Sequence, residues 1–222
     1  MKLTLFDLDG TLLPNDSDHA FGELVVSLGW ADGDEFKRLN DEFFAHYQAG
    51  TLDIDAYVDF ATRPWRSRSP AELQAATERF MHEVIEPALH ASAQSLVEQH
   101  RAAGDLLAIV TATNDFVTRP IARRLGVPTL IATDLARDAQ GRVTGAIQGV
   151  PAFRDGKIQR VHQWLQSLGH RLSDFETSTF YSDSTNDLPL LEAVSHPVAT
   201  NPGPALARIA QERGWPILHL FQ

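Results

Sequence analysis

Asp7 and Asp9 follow the apolar run Leu3-Thr4-Leu5-Phe6 with a single leucine between them, and Gly10-Thr11 closes the stretch. A turn accounts for one such aspartate through side-chain to backbone hydrogen bonding, but accounts poorly for two. Two further polar clusters follow apolar runs: Thr111-Ala112-Thr113-Asn114 after Leu106–Val110, and Asp183-Ser184-Thr185-Asn186-Asp187 after Thr177–Ser182. Lys157 opens an amphipathic segment between them. These residue types suit the hydrolysis of a phosphate monoester, a very slow reaction that needs a nucleophile, neutralisation of phosphoryl oxygens and a proton for the leaving oxygen. One aspartate can attack phosphorus, and a second carboxyl can deliver and retrieve the proton. Hard oxygen ligands from Asp7, the Asp9 region and Asp183 suit Mg²⁺, which shields the phosphoryl charge from the attacking carboxylate. A hydroxyl at Thr111 and the ammonium of Lys157 can hold the remaining phosphoryl oxygens.

The elements that must position these residues alternate. Apolar runs near 3–6, 106–110, 128–133, 177–182, 197–200 and 216–220 read as strands, and amphipathic stretches near 91–104, 115–125, 158–168, 186–193 and from Asn201-Pro202 onward read as helices. Such alternation predicts an α/β fold, a doubly wound, mainly parallel sheet whose strand exits lie along one edge. Residues 134–149 alternate around Asp138-Ala139-Gln140-Gly141, which predicts a β-hairpin flap. From residue 15 to 86 only helices are expected: one through Phe21, Leu24, Val25 and Leu28, then segments at about 34–48, 53–62 and 70–85. That is too long for a crossover and reads as an inserted helical lid. The expected organisation is a core of 1–14 plus 87–222 and a lid of 15–86.

The four polar regions, in this order and over nearly the whole chain, resemble the signature motifs of the haloacid-dehalogenase-like (HAD) phosphohydrolases, a Rossmann-like core with an inserted cap. The lid and Ser182-Asp183-Ser184-Thr185-Asn186-Asp187 resemble the phosphoserine-phosphatase-like subfamily, which includes histidinol-phosphate phosphatases. The resemblance implies that Asp7 is the nucleophile and that Asp9 is the acid/base, its backbone carbonyl also reaching the metal. It implies that Asp183 ligates Mg²⁺, that Asp187 supports the metal shell and Lys157, and that Thr111 matches the Ser/Thr of the second motif. Thr11, Ala112 and Asn186 are expected at the phosphate. Asp16 stands where the subfamily offers a glutamate to the substrate amine. Where phosphoserine phosphatases place a carboxylate-binding arginine, this chain has Ala61, with Arg63 and Arg66 only nearby, and Thr111-Ala112-Thr113 replaces their Ser-Gly-Gly. The implied substrate is a small amine-bearing phosphate such as histidinol phosphate or phosphoserine. Both departures lean away from phosphoserine.

Plainer readings compete at several positions. Thr111, Asp16, Asp183 and Asp187 can be helix caps, Lys157 a solvated helix residue, and Trp65 a packing residue rather than a platform for a heteroaromatic substrate. A phosphotransferase or phosphomutase keeps every motif, and a non-catalytic Mg²⁺- and phosphate-binding module holds the same acidic cluster. A dehalogenase lacks an acid at the second position, and a P-type ATPase domain carries threonine there and sits in a membrane protein. The formal net charge of −10 disfavours nucleic acid as a partner, and the lack of cysteine rules out disulfides and thiolate zinc sites. No apolar run approaches transmembrane length and no leader precedes the first strand, so a cytoplasmic enzyme, monomer or homodimer, is expected to act on a small phosphorylated metabolite.

Overall fold

A computed structural model describes residues 1–221. Strand β1 (Lys2–Phe6) leads into helices α1 (Ser17–Ser27), α2 (Gly33–Ala49), α3 (Ile54–Thr62) and α4 (Pro70–Phe80). Each starts on a side chain that accepts a backbone N–H: Asp16, Asp32, Asp53 and Ser69, the last in a capping box with Glu72. The helix expected to run to residue 85 changes character after Phe80. A π turn, Met81–Ile85, precedes the short α5 (Glu86–Ala88), and the Glu86 N–H reaches the Met81 carbonyl. Pro87 explains this, because it has no N–H and its ring crowds the preceding turn of an α-helix.

Then follow α6 (Ala91–Ala102), β2 (Leu106–Asn114), α7 (Asp115–Arg124), β3 (Leu130–Thr133), β4 (Leu135–Arg137) and β5 (Val143–Ile147). The chain ends with α8 (Asp155–Ser167), β6 (Thr177–Ser182), α9 (Leu188–Ala193), β7 (His196–Thr200), α10 (Pro204–Arg213) and β8 (Ile217–Leu218). The main sheet has the order β3-β2-β1-β6-β7-β8 with every pairing parallel, and β4 and β5 form the separate antiparallel hairpin. Three elements depart from expectation. Strand β2 runs on through Thr111 to Asn114; β8 is two residues rather than five; and α10 starts at Pro204, because Asn201 adopts a left-handed φ of 47° and its side chain is committed elsewhere.

Strand periodicity divides the core. Leu3 and Leu5 point into one apolar cluster with Val161 and Leu165 of α8, Leu190 and Leu191 of α9, and Leu206 and Ala210 of α10. Phe6 joins the opposite cluster with Val97, Val117 and Ile121, so both faces of the sheet are covered. The second cluster continues into the insertion. Trp65 stacks on Phe116 of α7 at 4.4 Å between ring centroids, and Phe21 meets Trp65, Phe80 and Phe116 edge-on. Trp65 is 1 % exposed and packs rather than presenting a platform. Trp65→Ala is expected to lower unfolding free energy by about 3–5 kcal/mol, measured by chemical denaturation, since it leaves a large cavity where the insertion meets α7.

Candidate active site

Because β1 lies between β2 and β6, the three polar strand exits are neighbours. The chain passes from β1 outward to β2 and β3, then crosses to β6, so β1 and β6 flank the switch point where ligands bind in open sheets. The Asp7 N–H still bonds to the Tyr181 carbonyl at 2.9 Å, which holds Asp7 on the sheet edge. Past it the backbone coils so tightly that the Leu8 carbonyl accepts from the N–H groups of Thr11, Leu12 and Leu13. Gly10 has a φ of +73°, and a Cβ there would lie 2.3 Å from an Asp183 carboxylate oxygen. Only glycine lets these two loops meet.

Lys157 is 1 % exposed and donates to Asp7 Oδ1 at 2.8 Å and Asp187 Oδ2 at 2.7 Å. Its neighbour Gly156, in the first turn of α8, packs directly on the Pro151 carbonyl, where a Cβ would come within 2.0 Å, so this turn lies close against the preceding loop. Ser182 Oγ donates to the same Asp187 oxygen at 2.7 Å, while Asp187 Oδ1 is buried with no partner among the described residues. Thr11 Oγ1 donates to Asp183 Oδ1 and accepts from the Asp183 N–H, both at 3.1 Å, so its hydroxyl is taken up in fixing Asp183. Asp9 accepts from the Ser17 N–H and from Thr113 Oγ1, each at 2.8 Å. Thr111 is buried and its hydroxyl oxygen accepts from the Thr113 N–H at 3.2 Å. Ala112 lines the same space.

Burial dominates the electrostatics. It pushes the Asp7 carboxyl up, against the opposing pull of Lys157, and raises Asp183, to which the charges of Asp7 and Asp187 add. Asp9 is pushed up to about 7 by burial and then by the charge of Asp16, against the hydrogen bonds from Ser17 and Thr113. Asp187 rises to about 6 by burial, with Lys157 opposing. For Lys157, burial alone would lower the pKa, but Asp187 and Asp7 outweigh it and keep the ammonium protonated. Two buried carboxylates, Asp7 and Asp187, thus share one lysine, and Asp183 lies near enough to feel its charge.

Over this cluster α1–α3 form a tight, partly open pocket lined by Asp7, Asp9 and Thr111–Thr113 below and by Asp16, Asp18, His19, Asn40, Phe43, Phe44, Tyr47, Leu52, Ile54 and Tyr57 above. The described lining contains no lysine or arginine. Arg63 and Arg66 both pair with Asp59 instead. Asp16 caps α1, accepting the His19 N–H at 2.8 Å, and lines the cavity as well. Asn186 faces α2: its Nδ2 donates to the Tyr47 carbonyl at 3.0 Å and its Oδ1 accepts from Arg154 Nε at 3.5 Å. The Arg154 guanidinium covers Gly50 at the end of α2, where a Cβ would meet it at 2.6 Å. Arg154 adopts a positive φ of 52°, which a non-glycine residue rarely holds without support from its surroundings.

Sequence reasoning missed Asp18, Tyr47, Tyr57, Ser182, Arg154 and Asn201. The Asn201 side chain donates to the carbonyls of Gly10 and Thr11 and accepts the Leu220 N–H, tying the Asp7 loop to β8. Of the six, Ser182 and Asp18 carried a usable signal, one flanking the last polar cluster and the other two residues from Asp16.

A family model described as haloacid dehalogenase-like hydrolase matches residues 4–192. A histidinol-phosphatase of Neisseria meningitidis serogroup C is 41% identical over 218 residues, covering 98% of each chain. A crystal structure of a protein of unknown function from Bordetella pertussis superposes with a TM-score of 0.93 at 51% identity, covering 99% of both chains. A substrate-bound phosphoserine phosphatase superposes with a TM-score of 0.69 at 17% identity, covering 98% of this chain and 92% of the other, a likeness of fold. The chain belongs to the haloacid dehalogenase-like hydrolase family and, with these relatives, to its phosphatases.

Proposed function

We propose that this chain is a Mg²⁺-dependent phosphomonoesterase acting on a small amine-bearing phosphate, histidinol phosphate being the substrate that the charge of its pocket lining favours. The observation that carries this reading is the acidic, aromatic lining without a lysine or arginine among the described residues. An ammonium or imidazolium on the leaving group meets Asp16 and Asp18 there, whereas the carboxylate of phosphoserine meets two further carboxylates and no cation. The histidinol-phosphatase name of the Neisseria relative supports the same choice.

The residues fit Mg²⁺. Among the described residues no three acidic or histidine side chains form a complete ligand set. Two carboxylates, Asp7 and Asp183, with the Asp9 carbonyl make a partial oxygen set, as suits a cation that keeps several of its waters. The buried, unpartnered Asp187 Oδ1 is an acceptor that such a water could fill, and the excess negative charge around Lys157 would favour a compensating cation. When bound, Mg²⁺ supplies charge neutralisation for the phosphoryl oxygens. The other jobs fall to the chain itself. Lys157 holds Asp7 Oδ1, and Oδ2 attacks phosphorus as the ester P–O bond breaks. Asp9, held by Ser17 and Thr113, protonates the departing alkoxide, then takes a proton from the water that cleaves the aspartyl-phosphate, releasing inorganic phosphate. Thr111 and Lys157 hold phosphoryl oxygens, and α1–α4 act as the cap that excludes water.

A substrate panel tests this reading: histidinol phosphate, phosphoserine and hexose phosphates, each with Mg²⁺ and with a chelator. The expected order of kcat/KM puts histidinol phosphate first, with phosphoserine lower by about 10²-fold for its unpaired buried carboxylate, and chelation abolishes turnover. Equal rates across the panel, or phosphoserine preferred, would overturn it.

A further inference from the structure

Asp18 is the second acidic residue of the cavity wall, and what surrounds it is unlike a helix cap. It sits in the first turn of α1, 7 % exposed, accepts from Asn114 Nδ2 at 3.0 Å and has the Tyr57 hydroxyl close enough to favour its charged form. The direction of the Asn114 amide is fixed: its Oδ1 caps α7, accepting the N–H groups of Phe116 and Val117 at 3.1 Å each, so its NH₂ has to face Asp18. Tyr57 in turn is held edge-on against Phe43 at 5.4 Å. Two elements far apart in sequence, the end of β2 and helix α3, therefore aim neutral donors at one carboxylate.

Neutral donors do not offset the charge, and burial, with the charge of Asp9 adding, pushes the Asp18 carboxyl up to about 7. A carboxylate accepts at about four lone-pair sites, and a buried one without a cation is costly. No lysine or arginine lines the cavity among the described residues, and the imidazole in its lining, His19, is turned to Asp41 at 2.7 Å. A cationic or N–H donor brought in by a ligand would favour the charged carboxylate there. Asp16 alone can serve one amine; Asp18 is a second acceptor between aromatic side chains, Phe43 and Tyr57, that suit a flat ring.

We propose that Asp18, oriented by Asn114 and Tyr57, is a specificity-determining residue that anchors a second nitrogen-borne proton donor of the leaving group, a ring N–H or second ammonium, while Asp16 takes the amine. This deepens the phosphatase reading above and rests on it. The substrate class becomes phosphate esters of alcohols carrying two separate nitrogen donors.

The test uses the full chain with Mg²⁺ and two esters, histidinol phosphate (amine and imidazole) and phosphoethanolamine (amine only), on wild type, Asp18→Asn and Asp16→Asn. Asp18→Asn is expected to lower kcat/KM on histidinol phosphate by about 30-fold, mainly through KM, and on phosphoethanolamine by no more than about 3-fold. Asp16→Asn lowers both. Calorimetric titration with histidinol, the dephosphorylated alcohol, gives a readout free of catalysis, with Kd about 30-fold weaker in Asp18→Asn. Should Asp18→Asn fold poorly, Tyr57→Phe keeps the charge and is expected to cost histidinol phosphate alone about 5-fold. Equal losses on both esters, or no loss on either, overturn the assignment of Asp18 while the phosphatase reading stands. A wild type that hydrolyses neither ester overturns both.

Discussion

Asp7→Asn is expected to leave a folded protein with turnover of phosphate esters reduced by at least about 10⁴-fold, the scale of losing a nucleophile whose partners act only through it. The fold survives for a physical reason. Asn is isosteric, its amide oxygen still accepts from Lys157, and the change removes one of the two buried carboxylates bonded to a single ammonium. Near-ultraviolet circular dichroism and thermal melting are expected to match the wild type closely, while an assay for released phosphate falls to background. Turnover within about tenfold of wild type would show that Asp7 is not the attacking group.

Lys157→Met is expected to remove activity and, unlike Asp7→Asn, to destabilise the protein by about 3–5 kcal/mol at neutral pH, because Asp7 and Asp187 are left buried and unpaired. The sign of its pH dependence follows from the shifts. In the wild type Lys157 is held above its ordinary 10.5, so its contribution persists at all lower pH and is lost only as pH rises beyond that value. In the variant the lowering influence of Lys157 on Asp7 and Asp187 is gone, and both carboxyls rise further above the ordinary 3.8. A carboxyl with a raised folded pKa binds more protons folded than unfolded between those two values, so stability falls as pH climbs through the window. Lys157→Met should therefore regain stability on acidification from pH 8 toward 5, read as the urea midpoint. A variant as stable as wild type at pH 8, with no gain on acidification, would count against a buried lysine between two carboxylates.

Asp9 is oriented by Thr113 from β2 and by the Ser17 N–H at the start of α1, so the proposed acid/base is aimed by the sheet and by the first helix after β1 together. Asn186 and Arg154 bind the end of α2, one through the Tyr47 carbonyl and the other over Gly50. Movement of α2 would therefore disturb the loop of Asn186 as well as the pocket lining.

Local chemistry was legible in the chain. Helix starts are written within one turn, and Asp16, Asp32, Asp53 and Ser69 each accept an N–H three residues on. Buried strands are written as apolar runs, and the exits of β1, β2 and β6 carried the polar clusters by which the family resemblance was drawn. The cap reading of Asp16 and the packing reading of Trp65 held, and the solvated reading of Lys157 did not. Which atom each polar group meets was decided only by tertiary structure. Asn114 and Asp18 lie 96 residues apart and Lys157 and Asp7 150 apart, and nothing in their spacing announces the pairing. Asn186 donates to the Tyr47 carbonyl of α2, and Asn201, expected to open a helix, ties the Asp7 loop instead. Periodicity and capping are settled by forces within a few residues, whereas the partner of a buried polar side chain depends on which distant element packs against it.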